Sequence, residues 1–86
     1  MHWTPRAEQS LEELVAQVPP DYQDGVRATA RRAAQLQALQ IGNPVVDMDE
    51  MVMGYLQSAP AHLRPGLVPV LQAAGIDTRR YRQYLN

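Results

Sequence analysis

A chain of 86 residues with a formal net charge of −1, no cysteine and two histidines holds one small domain and too few ligands for most metal sites. Disulfides, thiolate nucleophiles and iron–sulfur ligation are excluded. No apolar run approaches the roughly 18–20 residues that span a bilayer, and the start Met1-His2-Trp3-Thr4-Pro5 lacks the charged-then-apolar pattern of a secretory signal, so the expectation is a soluble, cytoplasmic protein with no membrane partner.

The composition, 45% hydrophobic and 20% charged, is globular. Its apolar share is unusual: no Phe, one Trp and eleven Ala. Alanine lets helices approach closely but buries little area, which predicts a thin core. All eight basic residues are Arg. Charge runs in blocks: −4 over residues 1–26, +3 over 27–42, −3 over 43–61 and +3 over 62–86. Alternating blocks in so small a protein are read as mutual neutralisation.

The first helix is predicted from about Pro5 to Val18, with Thr4 as cap and Pro5 at the first helical position. Ala7, Leu11, Leu14, Val15 and Val18 share one face. Ser10 to Glu13 offers a later capping box as an alternative start. Trp3 is read as a lid over the core edge. After the Pro19-Pro20 stop, a second and longest helix runs from about Asp21 to Gln40 and closes at Gly42. Its wheel places Tyr22, Val26, Ala30, Ala33, Leu36 and Ile41 on one side, with Arg27, Arg31 and Gln35 on the other. Gly25 near its start costs about 1 kcal/mol relative to Ala and is read as a close helix crossing or as simply tolerated. Val45-Val46 is a short extended stretch that needs a partner strand, from a second copy of the chain for instance, or else is a linker.

A third helix opens at Asp47, with Glu50 completing a capping box and Val46 and Met51 a hydrophobic staple. Met48, Met51, Val52, Tyr55, Leu56 and Ala59 follow helical spacing without a miss. Beyond it, Pro60, Pro65 and Pro69 break up the C-terminal third. A short helix is expected over about Leu67 to Ala74 with Gly75 ending it, then a last one over Thr78 to Leu85 capped by Asp77. The predicted fold is all-α: a small bundle with one long central helix, the extended segment at 45–46, and a proline-broken C-terminal helical extension over 59–86 packed on residues 1–58 as a single domain.

Catalytic patterns are sparse. Ser10, Ser58, Thr4, Thr29 and Thr78 have no base in a recognised arrangement, and His62 stands among prolines. The pairs Glu12-Glu13 and Asp49-Glu50 point about 100° apart on a helix and do not converge on one substrate atom. Asp47, Asp49 and Glu50 suit a helix N-terminus electrostatically, which outweighs a metal reading. No glycine-rich phosphate loop is present. No enzyme activity, cofactor or metal is expected. The candidate interaction residues are Arg27 and Arg31 on the long helix, Met53 off the apolar stripe, and Arg79, Arg80 and Arg82 beside Tyr81 and Tyr84.

The order Trp3, an Ala-bearing helix, Val18-Pro19, the long helix with Val26-Arg27, Ala38 and Gly42, a Val-Val turn and the acid-opened helix to Leu56 resembles the small C-terminal domain of the B subunit of light-independent protochlorophyllide reductase. Val18, Pro19, Arg27, Ala38 and Gly42 match that pattern. Gln35 departs from a family Glu, the long helix is about one turn longer, and residues 60–86 have no counterpart. The parent enzyme uses iron–sulfur clusters and ATP-driven electron delivery, so in a cysteine-free chain the resemblance implies an accessory module and none of that machinery. The expected function is a non-catalytic helical protein–protein interaction or accessory module, attached to a redox or tetrapyrrole-related complex, with a protein partner or self-association. Two alternatives stand beside it. One is a tetrapyrrole or cofactor-handling accessory protein, involving Met48, Met51, Met53, Tyr55 and His62. The other, disfavoured by the net acidic charge, is a histone-like, nucleic-acid-binding dimer.

Overall fold

Thr4 caps α1 (Pro5–Ala16): its hydroxyl oxygen accepts from the Ala7 N–H at 3.3 Å, and Pro5 sits where a missing N–H costs nothing. The computed structural model describes residues 2–85. The helix ends two residues before Val18, and Pro20 opens α2 (Pro20–Gln40), about 31 Å long at 1.5 Å per residue. At its end Gly42 takes φ +73°. The Asn43 N–H then donates to Ala38 O at 2.8 Å and the Gly42 N–H to Leu39 O at 3.1 Å, the paired bonds of a Schellman motif.

The two-residue strands β1 (His2–Trp3) and β2 (Val45–Val46) pair in parallel, His2 opposite Val45 and Trp3 opposite Val46. The extended stretch at 45–46 is therefore neither a bare linker nor a strand awaiting a second copy. Its partner is the chain's own N-terminal segment, and the Thr4 N–H extends the pairing to Val46 O at 3.0 Å.

α3 (Met48–Ser58) opens on the expected capping box, with the Asp47 N–H donating to Glu50 Oε1 at 3.2 Å. Met51, Val52, Gly54, Tyr55 and Leu56 are all buried. Arg64 folds back over its end and donates to Leu56 O at 2.8 Å and Ala59 O at 3.2 Å. A cation over the last carbonyls suits the negative end of the helix dipole. Arg64 itself lies in a 3-10 segment (Ala61–Leu67), followed by α4 (Val68–Ala73), a second 3-10 segment (Thr78–Tyr81) and α5 (Arg82–Leu85). Gly75, at φ +77°, ends α4 with a second Schellman pair, Ile76 N–H to Leu71 O and Gly75 N–H to Gln72 O, both 3.0 Å.

The long helix is buried on a different face from the one its wheel suggests. Ala30, Ala34 and Ala38 are its core residues, an i, i+4, i+8 row. Tyr22, Leu36 and Ile41, expected inside, are exposed. The reason is α3. A Cβ built on Gly54 would fall inside the backbone of Ala33 and Ala34, so the two helices meet backbone to backbone and only alanine fits between them. Gly25 makes no such crossing, because a Cβ there would meet nothing within 4 Å.

These two glycines have opposite fates. Gly54→Ala is expected to destabilise the fold by ~3 kcal/mol or more, the upper end of overpacking costs. Gly25→Ala is expected to stabilise it by about 0.4–1 kcal/mol. Urea denaturation of the two variants beside the native chain measures both.

Candidate functional site

The core cluster joins Trp3, α1, the alanine row of α2, α3, Leu71 of α4 and the terminal Ile76, Tyr81 and Leu85. Function must be sought on what this arrangement leaves outside, beginning with the charges.

Arg27 reaches back to α1, its Nε 2.8 Å from Glu12 Oε2 and its Nη2 2.9 Å from Glu12 Oε1, with Nη1 on Asp24 Oδ1 at 2.9 Å. Arg31 pairs with Glu8 at 3.1 Å, and its guanidinium carbon stands 4.2 Å from the centroid of the Trp3 ring. That is a cation–π contact worth about 0.5–1 kcal/mol. Trp3 is buried as the lid it was read to be, but its indole N–H has no partner. Arg79 folds onto Asp77 at 3.1 Å and Arg80 reaches Asp49 at 3.0 Å. Arg82 is exposed on α5 and, among the described residues, makes no ion pair. Met53 is half-buried, with the Gln37 amide 4.0 Å from its sulfur. The six candidates therefore do not converge: two serve α1, two hold turns near the C-terminus, one packs, and only Arg82 is free.

The acids opening α3 are likewise consumed by the fold. Asp47 accepts from Thr4 Oγ1 and Arg6 Nε at 2.8 Å each on one oxygen, and from Arg6 Nη2 at 2.6 Å on the other. Asn43 donates to Glu50 Oε1 at 3.2 Å, and the Tyr81 hydroxyl to Asp49 Oδ1 at 2.7 Å. The Arg6 hydrogen bonds hold the Asp47 carboxyl well below the usual carboxylate range, and the Arg27 hydrogen bonds lower that of Glu12. Burial first, and then the bond to Asp49, pushes the Tyr81 phenol up. A cleft of about 480 Å³ lies over this cluster, but its polar walls are already bonded to one another. Among the described residues no cluster of three His, Asp or Glu could hold a metal ion.

Two features remain open. The outer side of α2 carries Tyr22, Leu36 and Leu39 at 66%, 51% and 63% exposure, with Ile41 just past its end at 54%. Beside its first half lies a second cleft, about 490 Å³, walled by Val18, Tyr22, Gly25, Val26, Pro60 and Leu67 and reaching Tyr55 of α3. Tyr55 is only 5% exposed, and burial alone pushes its phenol up. Sequence reading placed Tyr22, Leu36 and Ile41 in the core and so missed this surface. The signal available was the alanine row, which hydropathy ranks below larger side chains.

A family model described as "Protein of unknown function (DUF2621)" matches residues 1–85. No curated protein and no solved structure matches the chain. This overturns the resemblance to the protochlorophyllide reductase domain, to which none of the comparisons points. The residues that carried it do generic work. Val18-Pro19 links α1 to α2 and Gly42 ends a helix at positive φ, requirements that unrelated helical proteins share.

The carboxylate contacts make stability pH-dependent. A carboxyl depressed in the folded state adds stability above its unfolded value, about 3.9 for Asp, and that stability is lost as pH falls through the folded value. The urea midpoint is expected to fall from about pH 5 towards pH 2. Asp47→Asn should lower it at pH 7 and flatten the acid limb.

Proposed function

We propose that this chain, which belongs to the DUF2621 family of proteins of unknown function, is a non-catalytic docking module that binds an amphipathic helix of another protein along the outer side of α2. The observation that carries this reading is the exposure of Tyr22, Leu36 and Leu39, within about 100° of one another on the wheel of a helix whose alanine face is already buried. Leu36 and Leu39 are a little over half exposed, so covering each contributes roughly half of the ~1.5–3 kcal/mol of full burial. A straight helical ridge of this length suits a partner helix anchored at i, i+3 or i+4, and i+7.

Charge chooses the kind of partner. Between Asp24 and Asp47 the chain has no acid, and among the described residues Arg32, exposed on this stretch, makes no ion pair. A partner helix with an acidic flank answers it. A second copy of the chain answers Arg32 only where the two-fold contact, which pairs residue i with residue j, lays Asp21 or Asp24 opposite it. The redox and tetrapyrrole attachments lose the resemblance on which they rested. A nucleic-acid reading has little left to draw on when Arg6, Arg27, Arg31, Arg79 and Arg80 are all paired with carboxylates.

The test is the double substitution Leu36→Glu with Leu39→Glu. Both positions are exposed, so the thermal midpoint should hold within a few degrees. A protein that co-purifies from host extract with the native chain, and that re-forms a complex with it from purified parts, should bind the variant at least about tenfold more weakly. Equal recovery by variant and native chain overturns the proposal. So does a concentration-dependent dimer of the native chain that the variant abolishes.

A further inference from the structure

The cleft beside the first half of α2 differs from the charged one in a specific way. In the charged cleft every acid that opens α3 already has a donor. Here Tyr55, almost wholly buried, ends in a hydroxyl for which the described residues supply no hydrogen-bond partner, and burial is the only influence on its phenol. It is not among the fully buried orphans, of which Trp3 Nε1 is the one found among the described residues, so the hydroxyl keeps a small contact with solvent, and Tyr55 lines this cleft together with Thr29 and Ser58. Its O–H is a donor that the oxygen of a molecule entering the cleft can take over from water.

Gly25 is the second observation. Glycine inside a helix is unfavourable relative to alanine, and usually a positive φ or a close neighbour explains it. Gly25 has neither: its φ is not positive and a Cβ would meet nothing within 4 Å. What its missing side chain does is leave the wall of this cleft open.

We propose that the cleft bounded by Val26, Gly25, Pro60 and Leu67 is a binding site for an uncharged, largely apolar small molecule whose one hydrogen-bonding oxygen meets the Tyr55 hydroxyl. The volume, about 490 Å³, lies within the range of small-molecule sites, roughly 300–1,000 Å³. The charge of the ligand follows from the walls. No Arg lines the cleft and Asp21 stands at its rim, so an anion would enter unpaired and against a like charge. A cation would find its one carboxylate at an exposed position in the first turn of α2 and would leave water with little in return. This inference shares Tyr22 with the docking reading, and Leu36 and Leu39, farther along the helix, belong to the docking face alone.

The experiment titrates the full chain, labelled with nitrogen-15, with octan-1-ol, octanoate and octylammonium while amide shifts are followed. Octan-1-ol should give saturable shifts confined to residues around Gly25, Val26, Tyr55 and Leu67. The two charged probes should bind at least about tenfold more weakly. Gly25→Leu, which fills the opening at a position where a Cβ meets nothing within 4 Å, should abolish those shifts in a chain that remains folded by urea denaturation. Tyr55→Phe should weaken octan-1-ol binding about two- to twelvefold. Leu36→Glu with Leu39→Glu should leave it unchanged, which separates this site from the docking face. Octan-1-ol shifts that fail to saturate, that persist in Gly25→Leu, or that centre on Leu36 and Leu39 overturn the assignment, as does octanoate binding equal to that of the alcohol.

Discussion

The approach of α3 onto α2 at Gly54 and Ala34 sets the rest of the molecule. With no Cβ on Gly54, the backbones touch, and the α2 face that meets α3 can carry nothing larger than Ala30, Ala34 and Ala38. A close crossing gives dense contact, but alanine removes little apolar area from water. Most of the large buried side chains come from α1 and α3 instead: Leu11, Leu14 and Val15 from one, Met51, Val52 and Leu56 from the other, with Leu71 of α4 and Val46 of β2 beside them. The same constraint explains the outside. Because the inner face of the longest helix is committed to alanine, its larger apolar residues have no place in the core, and Leu36 and Leu39 stand in solvent.

Electrostatics completes the frame without adding much energy. Exposed ion pairs contribute about 0–1 kcal/mol each, and most of those here are half-exposed or more. Their value is positional. Asp47 ties Thr4 and Arg6, at the start of α1, to the start of α3, beside the short pairing of β1 with β2. Asp49 does the same for Arg80 and Tyr81 near the C-terminus. Two neighbouring carboxylates thus gather both ends of the described chain at one helix N-terminus, where the dipole favours negative charge.

Capping chemistry was the most legible part of the sequence. Thr4-Pro5, the Asp47/Glu50 box, Gly42, Gly75 and Asp77 each declare a helix boundary through local geometry, and each boundary lies within two residues of its expected place. The charge blocks also told of internal pairing, as Arg27 with Glu12 and Arg80 with Asp49 bear out. What local reasoning could not reach was the rotation of α2 about its axis. That depends on a glycine in a different helix, and a wheel weighted by hydropathy turns Leu36 inward because it does not know that Gly54 admits only alanine. The partner of Val45-Val46 was hidden for the same reason: a two-residue strand carries no register signal, and its mate lies some forty residues away.

The two larger clefts show why volume alone is a poor guide to a site. They are nearly equal, about 490 and 480 Å³. The charged one holds more polar atoms, which at first suggests chemistry. Yet those atoms are bound to one another across α1, α3 and the C-terminal segment, and a ligand would have to break bonds already made before forming its own. The apolar cleft has few polar groups on its walls, Asp21, Thr29, Ser58 and Tyr55 among them, and the Tyr55 hydroxyl has no hydrogen-bond partner among the described residues. The charged cleft is therefore part of what holds the fold together, and the proposed ligand is placed beside Tyr55, where apolar walls leave few such bonds to break.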